Sequence, residues 1–141
     1  MTAEAAAITL YNTEDHMARV ERIADDISAA ADEIDETRRL PKDLLDKMHG
    51  EKLFRLLLPK AYGGLEIDPA TFFRITSAIA QRDASVGWVT CQGNGCSTSA
   101  AYVPPTTAKE VWGKDPAGVL AWGPGKAKVE VRDDGYYVKE G

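Results

Sequence analysis

Histidine and cysteine are scarce in this chain, and their scarcity excludes several chemistries. Only two of each occur among 141 residues. His16 and His49 stand far apart, with no Cys, Asp or Glu grouped around them at ligand spacing, so no metal site is expected. Cys91 and Cys96 are too few to staple a fold, and a reducing cytoplasm is the natural location. There is no basic excess: the net charge is −5, which argues against a nucleic-acid partner. No apolar run approaches the roughly 18 residues a membrane span needs. Residues 1–10 lack the basic start and apolar core of a signal peptide. Internal repeats and low-complexity tracts are also missing. The acidic residues concentrate before Gly50, which fits a solvated outer helix face or, alternatively, an acidic docking surface.

What is present fills one mainly α unit followed by β strands. Residues 1–12 read as frayed. A long amphipathic helix is expected from Thr13, with Met17, Val20, Ile23, Ala24, Ile27, Ala30, Ala31 and Ile34 at steps of three and four. Its single stripe suits a bundle helix or a coiled-coil partner. Pro41 fits the first position of a second helix with Leu44, Leu45 and Met48 inward and Gly50 near its end. Leu56 to Gly64 cannot be helix: Pro59 disfavours helical angles at Leu58, and Gly63 and Gly64 permit angles that other residues avoid. This apolar run is a buried extended crossing. Asp68 and Pro69 form the N-cap and first position of a third helix with Phe72, Ile75, Ala78 and Ile79 inward. Asp83 or Ser85 caps a fourth that runs toward Val103, where Pro104-Pro105 stops it. Thr107 and Glu110 are spaced as a capping box for a short fifth helix ending near Trp112-Gly113. Val119 to Trp122 reads as a strand, Gly123-Pro124-Gly125 as a turn, Lys126 to Arg132 as a strand, Asp133-Asp134-Gly135 as a hairpin turn and Tyr136 to Lys139 as the return strand. The expected division is 13–117 helical and 118–141 the start of a β domain.

The fourth helix carries Gly87, Gly93 and Gly95 together with Cys91, Cys96 and several Ser, Thr and Ala. Each interior glycine costs about 1 kcal/mol relative to alanine. Close approach of a neighbouring helix, or of a ligand, would offset that cost. Trp88 reads either as a core aromatic or as a pocket wall. Gln92 and Asn94 either bond a neighbouring helix or contact a substrate. Lys126 and Lys128 are either solvated strand residues or contacts for a phosphate.

The order of elements resembles the N-terminal part of the acyl-CoA dehydrogenase superfamily of flavoproteins, over about residues 15–141. Leu56 to Gly64 is similar to that family's apolar-Pro-x-x-Tyr-Gly-Gly signature. Gln92-Gly93-Asn94 falls where many members have a Gly-Asn pair on the helix lining the acyl pocket. Trp122-Gly123-Pro124-Gly125 falls where dehydrogenases carry Thr-Glu-Pro before a Gly-Ser-Asp run that holds the flavin. Here Trp122-Gly123 replaces Thr-Glu, and Lys126-Ala127-Lys128 replaces Gly-Ser-Asp. Residues 83–89 and 110–116 resemble a sister branch, the flavin-dependent aromatic hydroxylases.

The resemblance implies an N-terminal up-and-down helical bundle of the acyl-CoA dehydrogenase type, followed by the first strands of an antiparallel β domain. It implies a flavin, FAD or reduced FMN, bordered by Trp122, Gly123, Pro124 and Gly125, and a substrate pocket walled by Trp88, Gln92 and Asn94. The substrate would be an acyl-CoA in a dehydrogenase or an aromatic compound in a monooxygenase, served by an electron-transfer partner or a flavin reductase. A homotetramer is also implied. No catalytic residue is assigned, because the carboxylates fall on solvated faces, caps and turns. The chain ends within an unfinished sheet, so it is expected to be the front part of a longer enzyme, inactive alone. The alternative is a stand-alone helical interaction module or subunit.

Overall fold

A computed structural model describes residues 13–123 and 125–139. The stretch expected to be frayed, 1–12, lies outside the described residues, as does Pro124. Among the described residues, seven α-helices precede one β-hairpin: α1 (Thr13–Glu21), α2 (Ala24–Ala29), α3 (Ala31–Thr37), α4 (Lys42–Gly50), α5 (Pro69–Arg82), α6 (Ala84–Ser97), α7 (Pro105–Ala108), β1 (Lys128–Arg132) and β2 (Gly135–Lys139). No helix among the described residues is long and apolar enough to cross a membrane.

The expected single long helix is three segments. At Ile23 the backbone N–H reaches back three residues to Val20, and at Ala30 the N–H is shared between Asp26 and Ile27. Each tightened turn interrupts the α-helix, and the apolar stripe stays on the core through both interruptions: Val20, Ile23, Ile27 and Ile34 are all buried. Those residues pack with Leu44 and Met48 of α4, Ile75 and Ile79 of α5, and Val86 of α6. Helix α5 lies centrally, against α1, α2 and α6. Its Asp68 cap accepts from the Ala70 and Thr71 N–H groups at 2.9 and 3.0 Å, with Pro69 opening the helix. Pro41 sits one place earlier than expected, as the flanking residue of α4 with ψ 142°.

The crossing links two cores. Leu56 belongs to the main cluster, and Leu58 to a second one with Ala100, Ala108 and Trp112. The chain doubles back on itself there: Leu65 donates to Arg55, Glu66 to Leu58 and Ile67 to Leu56. One 3-10 turn, Lys60–Tyr62, interrupts a stretch read as wholly non-helical. Gly63 then adopts φ 83°, the left-handed region. A Cβ at Gly64 would stand 1.8 Å from the Leu58 carbonyl oxygen. The paired glycines therefore have separate duties, one conformational and one steric.

Two further expectations are corrected. The Thr107–Glu110 capping box is not used, because the helix starts at Pro105 and its cap is Pro104. Proline favours the first helical position and holds its predecessor extended, which moves the start three residues upstream. The helix then widens into a π turn over Lys109–Gly113. Val119 to Trp122 forms no strand ladder. Val119 instead rests on α6, where a Cβ at Gly93 would meet its Cγ1 at 2.9 Å. The hairpin pairs Val129 with Val138 and Val131 with Tyr136 on one face. That face is exposed, while Arg132 stacks over Tyr137 at 4.0 Å on the other.

Candidate functional site

Helix α6 has two sides of different character. Asp83 caps it by accepting from the Val86 N–H at 2.8 Å. Val86, Gly87, Thr90, Gly93, Asn94 and Ser97 face inward. Gly87 and Gly93 are explained by packing: a Cβ at Gly87 would lie 2.7 Å from that of Ala80, and one at Gly93 would lie 3.2 Å from Phe54 Cδ1. The outward side carries Trp88 and Val89, with Gly95 beyond and Cys91 and Gln92 half-buried between them. Tyr102 continues that side past the 3-10 turn. Gly95 differs from its neighbours because nothing lies within 4 Å of where its Cβ would be.

Asn94 belongs to the inner side and is completely buried. Its Oδ1 accepts from the Leu56 and Leu57 N–H groups at 2.7 and 3.2 Å. Its Nδ2 donates to the Leu53 and Thr90 carbonyls at 2.7 and 2.9 Å. A carboxamide can accept two bonds and donate two, so no capacity remains for a substrate. Asn94 thus bonds the crossing and its own helix, not a neighbouring helix. Trp88 is the reverse case: at 64% exposure it is not a core aromatic. Beside it, Ser85 and Val89 line a cavity of about 160 Å³ with Ile34, Arg38, Arg39 and Leu40.

Trp122 is 68% exposed, and Gly123 and Gly125 have open space on their Cβ side. These residues follow Val119, whose contact with Gly93 ties the segment to α6. Among the described residues, no group of three or more His, Cys, Asp and Glu is placed to hold a metal ion.

Sequence reasoning missed Arg55. Its guanidinium is buried and donates to the carbonyls of Pro116 at 2.7 Å, Tyr62 at 3.0 Å and Trp112 at 3.0 Å, and to Asp115. One cation thereby gathers the crossing, the π turn and the loop after it. Its signal was visible as the only charge within the apolar run Leu53 to Leu58. Burial pushes its pKa down, and the Asp115 carboxylate opposes that shift. Burial, helped by Arg55, likewise holds His49 below its usual value. His16 is lowered by burial first and by Arg19 second.

The comparisons with known proteins agree with this geometry. The family model described as "Acyl-CoA dehydrogenase, N-terminal domain" matches residues 13–110. This chain belongs to that superfamily. Among its relatives is indole-3-acetate monooxygenase of Pseudomonas putida, 36% identical over 64% of this chain and 23% of that protein. Another is the oxygenase subunit HsaA of a flavin-dependent monooxygenase of Mycobacterium tuberculosis, 32% identical over 86% of this chain and 31% of that protein. Among solved structures, XiaF from a Streptomyces species, in complex with FADH2 and glycerol, superposes with a TM-score of 0.82 at 25% identity, over 96% of this chain and 34% of XiaF. The chain thus spans between about a quarter and a third of the length of these superfamily members.

Proposed function

We propose that this chain is the N-terminal portion of a two-component, flavin-dependent monooxygenase acting on an aromatic compound. The observation that carries this reading is the character of its relatives: the match to the HsaA monooxygenase extends over 86% of the chain. The exposed Trp88 and the unfilled space over Gly95 support it, since a flat ring can approach a helix backbone where no side chain intervenes. Trp88, Val89 and Gln92 are the pocket wall on this reading, and Asn94 holds that wall in place from behind.

The flavin supplies the redox chemistry. One atom of O2 replaces a ring hydrogen as hydroxyl, the other leaves as water, and two electrons come from reduced flavin. The residues of this chain fit such a group: Trp122 offers an uncovered indole, and Gly123 and Gly125 an unobstructed backbone. Reduced flavin is delivered by a separate reductase. The assembled protein is a cytoplasmic homotetramer, a reading supported by the family resemblance and by two free cysteines.

The competing reading is an acyl-CoA dehydrogenase. The protein as its gene encodes it is tested with reduced flavin, O2 and a panel of phenols and indole acids, and in parallel with acyl-CoA and an electron acceptor. Hydroxylated product is expected in the first assay. Turnover in the second alone would overturn the proposal.

A further inference from the structure

We propose that the cavity where the end of α4, the crossing and the π turn meet is a second binding site, one for a small organic phosphate or carboxylate. The cavity measures about 410 Å³, and His49, Lys52, Arg55, Tyr62, Lys109 and Trp112 line it. In a chain of net charge −5, this lining holds three cationic side chains and no carboxylate. It shares no residue with the outward side of α6.

Three features point to an anion. The Arg55 guanidinium is satisfied by neutral carbonyls, which share its protons without cancelling its charge. Among the described residues no carboxylate forms an ion pair with it. Lys52 and Lys109, both exposed, have no ion-pair partner among the described residues either. Lys52 stands at φ 59° just past the end of α4, a left-handed position where glycine or asparagine is favoured. The Trp112 indole N–H is buried with no acceptor. A partly desolvated cation with two free ammonium groups at the rim attracts an anion more strongly than surface lysines alone. Tyr62, half-buried, adds ring surface, which suits an organic group attached to the anion. The volume falls in the small-molecule range of about 300–1,000 Å³.

Isothermal titration of the protein as encoded, at low ionic strength, with phenyl phosphate, benzoate and inorganic phosphate tests this. Saturable binding of phenyl phosphate or benzoate is expected, and the pair tells phosphate from carboxylate preference. The double substitution Lys52→Gln with Lys109→Gln should weaken it about tenfold, since each exposed pair contributes modestly. Trp88→Ala should leave it unchanged, which separates this site from the proposed reaction site. No saturable binding, binding of inorganic phosphate alone, an unaffected lysine double variant, or loss on Trp88→Ala would each overturn the proposal.

Discussion

Replacing Asn94 with alanine should loosen the crossing from α6 at a large cost in stability. The substitution removes four hydrogen bonds, but their losses differ. The Thr90 carbonyl keeps its place in the helix, and the Leu57 N–H belongs to a residue that is only half-buried. The Leu56 N–H and the Leu53 carbonyl sit in residues of 0% exposure and would be orphaned. A buried unsatisfied group costs about 1–3 kcal/mol, so two give roughly 4 kcal/mol, before any cavity is counted. That is a large fraction of the about 5–15 kcal/mol of a typical domain. Urea unfolding should show a lower midpoint with the slope preserved. Asn94→Asp should be comparably damaging, because its carboxylate would face two carbonyls that now receive N–H donors. Gln92→Ala, on the other side of the helix, should change stability by less than about 0.5 kcal/mol. A loss below about 1 kcal/mol for Asn94→Ala would refute the clamp. If stability held while turnover vanished, Asn94 would be a substrate contact after all.

The glycines give a graded series. Gly64→Ala should fail to fold or unfold well below the wild type, because its Cβ would overlap a backbone oxygen at 1.8 Å, which thermal melts would reveal. Gly87→Ala should be destabilising by roughly 1–3 kcal/mol through overpacking against Ala80. Gly95→Ala should instead stabilise by about 0.5–1 kcal/mol, since its Cβ meets nothing, while raising KM for the aromatic substrate. Stability should fall as pH drops below the unfolded histidine value of 6.5, because His16 and His49 are both held below it and the unfolded chain takes up protons first. Melting temperatures recorded between about pH 7 and 5 should decline, and His49→Gln should flatten part of that slope. Glu51, held down by its bond from Arg22, adds a further loss only below its unfolded value of 4.5.

Local chemistry was legible wherever a residue acts on its own backbone. Asp68-Pro69 announced one helix start and Asp83 or Ser85 another, of which Asp83 is the cap, and Pro59 with Gly63-Gly64 announced a crossing that is not α-helical, because capping and φ preferences need no distant partner. The competition between Pro104-Pro105 and the Thr107–Glu110 box was also local, and proline prevailed. What could not be read depends on which segment arrives opposite. The pattern of α6 showed polar and small residues without saying that Asn94 faces in and Trp88 out, since helix side is settled by the packing of Leu53 to Leu57 and α5. Val119 looked like a strand residue because β-branched residues suit strands, yet it serves as a plug over Gly93. Arg55 in an apolar run gave a signal without a partner, since its four acceptors are carbonyls that any sequence would supply.

Isotopic tracing is the most direct test of the function. The protein as encoded is supplied with reduced flavin, 18O2 and a phenol, and the product is weighed by mass spectrometry. One labelled oxygen per hydroxylated ring is expected, with the yield lowered in Trp88→Ala. Oxidation of acyl-CoA without any label entering a ring would contradict a monooxygenase.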